Sequence, residues 1–427
     1  MNGPDRGLSR RAFVRSAVAI GGASALAACL QREETEDVPQ AALSPEELPD
    51  RQHAWNEFLA EDDHGNIEPP EHHLLLGLEY VGDGPADAED EREQLETAFQ
   101  TLEKAYKRGN EGLAFTIGYG PAYFDRFETD LPESVDLPDP EALAPIEDPE
   151  LDEYDALIHL ASDYGHVTLS AEEALQGDLE ELNGLEVEGT LEGVFDVAER
   201  RTGFIGRGLP ADRQSGVSGI PDSEPVPDDA PMFMGFKSGF RKTQASEDRV
   251  TIRDGPFAGG TTIHLSKIRL HLHQWYEQDS RDIRVSKMFS PTHADEGLVD
   301  GAGDNLGDSS RIAEVGGDAA EDARRGTVGH AQKTARARED GEPIILRRDF
   351  DSTDDDAAAT HFLSLQRSIA DFVKTRNAMT GSDLTDGSIS SRTNNGILQY
   401  IRVRNRANYL VPPRGLRALP APNSESA

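Results

Sequence analysis

Cysteine is almost absent. One occurs in 427 residues, at position 29. A single thiol excludes an intrachain disulfide and any thiolate-built metal centre. Lysine is also scarce, with eight against thirty-four arginines. Basic charge as a whole is outnumbered: 80 acidic residues face 42 basic ones, for a net charge of −38. Phosphate recognition needs a basic footprint, so nucleic-acid binding is disfavoured. Long apolar runs are missing too. The one candidate, residues 16–28, is small, Ala/Gly-rich and too short for a spanning helix.

That short run has another meaning. Ser9-Arg10-Arg11-Ala12-Phe13-Val14 precedes it, and Leu26-Ala27-Ala28-Cys29 closes it. The first is a twin-arginine export signal and the second a lipobox. Residues 1–29 are therefore read as a leader, with Cys29 lipidated as the mature N-terminus. Residues 30–50, acidic and proline-bearing, read as a tether. The expected location is the extracellular face of the cell membrane. The membrane is touched only through the lipid anchor, and the twin-arginine translocase is the partner during export. That route carries folded chains, which suits a protein that takes up a cofactor before export.

An acid-rich, lysine-poor surface keeps its hydration when salt screens its repulsion, which implies a salt-adapted, haloarchaeal source. The charge then says little about partners. A homo-oligomer is allowed but not specified. Core packing must supply the stability, and the length allows two domains.

Two halves are separated by a loop-rich stretch. In residues 51–207, extended segments are expected at 73–80, 112–119 and 154–162. Helices are expected at 87–108 and 169–175. Residues 208–231, rich in Gly, Pro, Ser and Asp, form a connector. In residues 232–415, strands are expected at 260–270 and 359–366, with a helix at 368–379. A helical turn at 272–278, a polar excursion over 289–328 and short extended pieces at 398–404 and 408–411 complete it. Residues 416–427 read as a disordered tail. The element order in each half is that of a ferredoxin-like unit, so the expected fold class is α+β, two such halves with antiparallel sheets flanked by helices.

One spacing carries chemistry. Gly329-His330 is followed seventeen positions on by Arg347, which closes the run Ile344-Ile345-Leu346-Arg347-Arg348. An imidazole can hold haem iron from one face while a permanently charged guanidinium serves peroxide on the other. A lone histidine in a polar loop is usually a surface residue, so this spacing is weak by itself.

The surrounding motifs strengthen it. Residues 116–127 contain Gly118-Tyr119-Gly120-Pro121-Ala122-Tyr123-Phe124-Asp125-Arg126, which resembles the Gly-Phe-Gly-Pro-x-x-Phe-Asp-Arg segment of dye-decolorising peroxidases. Gly235-Phe236-Lys237-Ser238-Gly239 is similar to that family's Gly-Phe-Lys-Asp-Gly. Ile345-Leu346-Arg347-Arg348-Asp349-Phe350 and Asn408-Tyr409-Leu410-Val411-Pro412-Pro413-Arg414-Gly415 follow in collinear order. The resemblance spans roughly residues 52–415 and rests on several short matches.

The resemblance implies haem b in the C-terminal half, with His330 as axial iron ligand and a carboxylate or carbonyl on its other nitrogen. It implies Arg347 as the distal arginine, with Arg348 as fallback, and Arg269 as a propionate partner. It implies hydrogen peroxide and a bulky electron donor as substrates. Two departures stand out. Ser238 replaces the family's distal aspartate and can only hydrogen-bond or hold a water. After His330 the run Ala331-Gln332-Lys333 differs from the family's pattern. Asp349 is expected to face away from the pocket. His264, His271 and His273 read as solvated or propionate-contacting groups, and Trp275 and Tyr409 as core. The function implied is a haem peroxidase. The alternative is a catalytically weakened or non-enzymatic haem-binding lipoprotein. A ferredoxin-like surface scaffold without haem is the third reading.

Overall fold

Nine extended segments form the principal strands. The computed structural model describes residues 38–86, 88–385 and 388–423. The leader, Cys29 and the start of the tether lie outside the described residues.

The first half contains β1 (His72–Tyr80), α1 (Glu89–Ala105), β2 (Ala114–Tyr119), β3 (Ala156–Ser162), α2 (Gly165–Gln176) and β4 (Phe195–Phe204). Its strands lie in the order β4-β1-β3-β2. The second half contains β5 (Thr261–Leu270), α3 (Arg281–Met288), α4 (His330–Thr334) and β6 (Leu346–Arg347). It continues with β7 (Phe350–Ser352), β8 (Ala359–Gln366), α5 (Ile369–Thr380) and β9 (Ile401–Val411). Its strands lie in the order β9-β5-β8-β6. Counted within its own half, each set runs fourth, first, third, second, which is the ferredoxin-like order.

The two halves close on each other. Leu410 of β9 pairs with Tyr119 of β2. At the other seam β7 bridges β4 and β8, through Asp351 opposite Phe204 and Phe350 opposite His361. The crossing there is tight: a Cβ on Gly203 would lie 2.2 Å from the Phe350 ring. The result is a closed, mainly antiparallel barrel flanked by helices, so the expected fold class holds.

Alternation along the strands sorts side chains into three compartments. Leu74, Leu76 and Leu78 of β1 pack outward against α1 and α2. Leu75 faces the barrel interior with Ile263, Leu265, Leu363 and Leu365 from the second half. Ile268, Leu270, Phe362, Ile401 and Val403 face outward on the second half, where a cavity separates the sheet from its helices. The functional site lies in that third compartment.

Several expected boundaries need correction. β4 was not anticipated, because Glu199, Arg200 and Arg201 mask its period; β1 and β7 pair with it instead. The two pieces expected near the C-terminus are one strand, β9, with a register shift between Val403 and Asn405. The helical turn is shorter, covering Gln274–Gln278. The tail is packed rather than loose up to residue 423. Arg417 is 1 % exposed and paired with Glu96 and Glu103 of α1, and Leu419 is fully buried. The end of the tether is also laid down: the Lys107 amide donates to the Pro39 carbonyl. Among the described residues no helix is long and apolar enough to cross a membrane.

Candidate functional site

The cavity has a volume of about 260 Å³ and a mostly apolar wall. The chain has five methionines, and Met232, Met234, Met288 and Met379, all but the first residue, line it. Unbranched thioether side chains make a pliable apolar wall, suited to a large flat guest.

His330 opens α4 on one wall. Its backbone is seated by two glycines. A Cβ on Gly329 would fall 1.8 Å from the Phe289 carbonyl at the end of α3, and one on Gly396 would meet the His330 amide at 3.0 Å. Gln332 anchors the same turn, accepting from the Gly329 amide at 3.2 Å and donating to Asp322 at 2.8 Å. Burial pushes the His330 imidazole down to about 3, with the charges of Lys333, Arg347 and Arg376 adding to the shift. It is a neutral base at ordinary pH. Its buried Nδ1 has no hydrogen-bond partner among the described residues. The expected carboxylate or carbonyl is therefore missing. Lys333, one turn on, is buried and donates to Asn395 Oδ1 at 2.5 Å instead.

The extended run from 346 to 352, which joins β6 to β7, forms another wall. Arg347, Asp349 and Asp351 line the cavity. Arg348 and Phe350 point the other way: Arg348 bonds Glu247 at 2.9 Å and the His53 carbonyl at 2.7 Å, and Phe350 joins the barrel core. The Arg347 backbone is pinned from both sides, its amide and carbonyl each 3.1 Å from the Gln244 amide group. Thus Arg347, not its fallback Arg348, belongs to the cavity.

Asp349 is a correction. It shares the face of Arg347 because it lies two residues on, where strand alternation returns to the same side. Its Oδ2 accepts from Ser238 Oγ at 3.3 Å and lies 3.8 Å from Arg347 Nη1. Burial raises its carboxyl pKa, against the pull of Arg347 and Ser238. Asp351, held by Thr360 Oγ1 at 2.6 Å, is pushed up to about 7 by burial. Ser238 itself lies where the loop meets this wall, between Gly235 and Gly239, both with φ near +80°. Those left-handed positions explain the glycines of the motif.

The sequence reading missed a buried ionic triad at the cavity edge. Arg376 of α5 and Arg406 of β9 both donate to Glu147, the latter at 2.8 Å. Arg376 Nη1 and Arg406 Nε have no hydrogen-bond partner among the described residues. Arg376 and Arg406 both line the cavity, so two guanidiniums share the Glu147 carboxylate at its edge. Nothing local in the sequence brings residues 147, 376 and 406 together.

Arg269 is not in the cavity. Its neighbours Ile268 and Leu270 line the wall, so alternation turns it away, and it donates to Ser218 Oγ at 2.9 Å. His264 is buried rather than solvated, bonded to Asn408 and Ser266 and stacked on Phe372. His273 is exposed, and no group of three or more His, Cys, Asp or Glu among the described residues could hold a bare metal ion. Trp275 and Tyr409 are core, as expected.

Comparison with known proteins agrees with this architecture. DtpA from Streptomyces lividans, solved as an oxyferrous complex, superposes with a TM-score of 0.56 at 18% identity, covering 88% of this chain and 95% of that one. An encapsulated DyP-type peroxidase from Mycobacterium smegmatis gives 0.53 at 13%, covering 83% and 96%. A DypB variant from Rhodococcus jostii RHA1, in complex with heme, gives 0.52 at 14%, covering 81% and 94%. At such identities the likeness is one of fold. No curated protein matches the sequence. One family model, described as a family of unknown function (DUF7405), matches residues 70–413. The chain belongs to that family, DUF7405, and has the fold of the DyP-type peroxidases.

Proposed function

We propose that the protein is a haem b peroxidase that reduces hydrogen peroxide and oxidises a bulky donor. The observation that carries this reading is that one apolar cavity is lined by both a neutral imidazole, His330, and the guanidinium of Arg347. The residues lining the cavity suit the cofactor. His330 would hold the iron, and the cationic edge at Arg376 and Arg406 would hold the propionates, in place of Arg269. When bound, haem supplies the iron at which peroxide coordinates and passes on the donor's electrons. Arg347 stabilises negative charge developing on the departing oxygen, an electrostatic role worth about a hundredfold or more in rate in a water-poor pocket. Ser238 supplies a hydroxyl, not a base. The four methionines exclude bulk water and shape the wall.

A second reading is supported by the His330 surroundings. Without an acceptor on Nδ1, and with cations nearby, the imidazole is a weaker electron donor than a carboxylate-bonded one. That favours a slow peroxidase or a haem-binding protein without turnover. The export signal and Cys29 support placement at the outer membrane face through a lipid anchor, after passage through the twin-arginine translocase.

The test is an absorption spectrum of the mature chain, prepared with haem in high salt, followed by peroxide. A Soret band that changes within seconds supports the peroxidase. A band that only bleaches supports the second reading. Loss of the band in His330→Ala, with folding unchanged, assigns the ligand; an unaltered band rules it out.

A further inference from the structure

Ser238 leaves the cavity without the carboxylate that the family pattern puts in that loop, yet the fold delivers one to nearly the same place from the extended link between β6 and β7. Resting on the haem reading above, we propose that Asp349 is the proton-carrying catalytic residue of the cavity and that Ser238 orients it.

Position is the first ground. Asp349 lies two residues beyond Arg347 and shares its cavity face. The Ser238 hydroxyl donates to its Oδ2 at 3.3 Å, and Arg347 Nη1 lies 3.8 Å from the same oxygen. One carboxylate oxygen is thereby held by the loop and the arginine.

The other oxygen is the second ground. Oδ1 is buried and has no hydrogen-bond partner among the described residues. Buried polar atoms are nearly always satisfied, and because Asp349 lines the cavity, a small polar guest there could satisfy this oxygen after a slight turn of the side chain. Hydrogen peroxide and water both fit that description.

Elimination is the third. Among the described residues two acidic side chains line the cavity, Asp349 and Asp351. Asp351 has both oxygens committed, to Thr360 Oγ1 at 2.6 Å and the Phe233 amide at 2.5 Å. Lys237, also on the wall, is tied to Asp62 at 2.5 Å. The charged groups acting on Asp349 are Arg347, which favours its ionised form, and Asp351, which feels it as a like charge. Among the described residues, Asp349 is the carboxylate of the wall that no other residue saturates.

The step balances as follows. Asp349 takes the proton from one oxygen of hydrogen peroxide, breaking that O–H bond. It returns the proton to the other oxygen as the O–O bond breaks, and that oxygen leaves as water. Over the full cycle peroxide, two electrons and two protons give two waters, the electrons coming from two one-electron donor oxidations through the haem. A general acid–base group of this kind contributes about 100-fold or more.

The test uses the haem-loaded chain, Asp349→Asn and the exchange variant Ser238→Asp with Asp349→Ser. The readouts are the rate of the Soret change with peroxide and the pH profile of cyanide binding to the ferric protein. Cyanide arrives as its acid and must leave its proton on a base in the pocket. Asp349→Asn is expected to lose about 100-fold in the peroxide rate and the acid limb of the cyanide profile, while keeping Soret intensity. The exchange is expected to recover most of both. A rate within threefold of the parent, or an unchanged cyanide profile, overturns the role of Asp349. So does an exchange that recovers nothing. A parent chain that takes up no haem overturns the haem reading itself, and this inference with it.

Discussion

The guanidinium of Arg348 lies 4.1 Å over the ring of Trp55 while bonded to Glu247, on the opposite side of the strand from Arg347. Two adjacent arginines thus serve different compartments, and their substitutions should separate cleanly. Arg348→Ala removes one partner of a buried ion pair and should cost about 3–5 kcal/mol in unfolding free energy. Arg347→Ala should leave denaturant stability nearly unchanged and lower the peroxide rate by about 100-fold or more. Equal effects on stability would place both in the core.

Glu147 joins two buried arginines, and it is itself 5 % exposed on its side chain. Glu147→Gln should destabilise the haem-free chain by about 3–5 kcal/mol, because two buried cations lose their counter-charge. Haem propionates would restore negative charge, so added haem should recover part of the melting temperature, by binding linkage. Calorimetry of both forms, with and without haem, measures this. Absence of a haem-dependent recovery would separate Arg376 and Arg406 from the cofactor.

Acid should weaken the barrel. His73, His159 and His361 are buried in it, with pKa values depressed chiefly by desolvation. A depressed histidine contributes stability that is full above its unfolded pKa, near 6.5, and lost as pH falls below it. His361 has no partner on either ring nitrogen among the described residues. His361→Leu should therefore stabilise the protein at pH 8 by about 1–3 kcal/mol. At pH 5 the gain should be larger by about 2 kcal/mol. Urea unfolding at the two pH values checks the sign; a smaller gain at pH 5 would contradict it.

The packed tail makes a fourth test. Arg417 pairs with Glu96 and Glu103, and its carbonyl accepts from Tyr119 Oη at 2.7 Å. Truncation after Gly415 should expose Tyr119 and α1 and cost about 3–5 kcal/mol. Unchanged thermal unfolding of the truncated chain would show the tail to be dispensable.

Much of the first-half core was legible because Leu74, Leu76 and Leu78 alternate with residues turned the other way, so period alone sets each face. The same rule, applied from Arg347, places Asp349 in the cavity; counting it as an adjacent residue turned it the wrong way. Arg269 failed for a related reason, since a strand rich in polar residues does not declare which face meets the cavity. β4 was missed because charged residues can pair on both edges of a strand without leaving an apolar period.

By itself the sequence determined the absence of disulfides, the excess of acidic residues and the two-part order of elements. It also marked His330 and Arg347, through motifs in one collinear order. Only the tertiary structure decided which arginine of the pair enters the cavity and that Asp349 faces Ser238. It alone joined Glu147 to Arg376 and Arg406, and laid the tail on α1. Those relationships connect residues as much as 321 positions apart. They arise from barrel closure, which no local pattern encodes: strand period sets a face, but only the pairing of strands sets what that face meets.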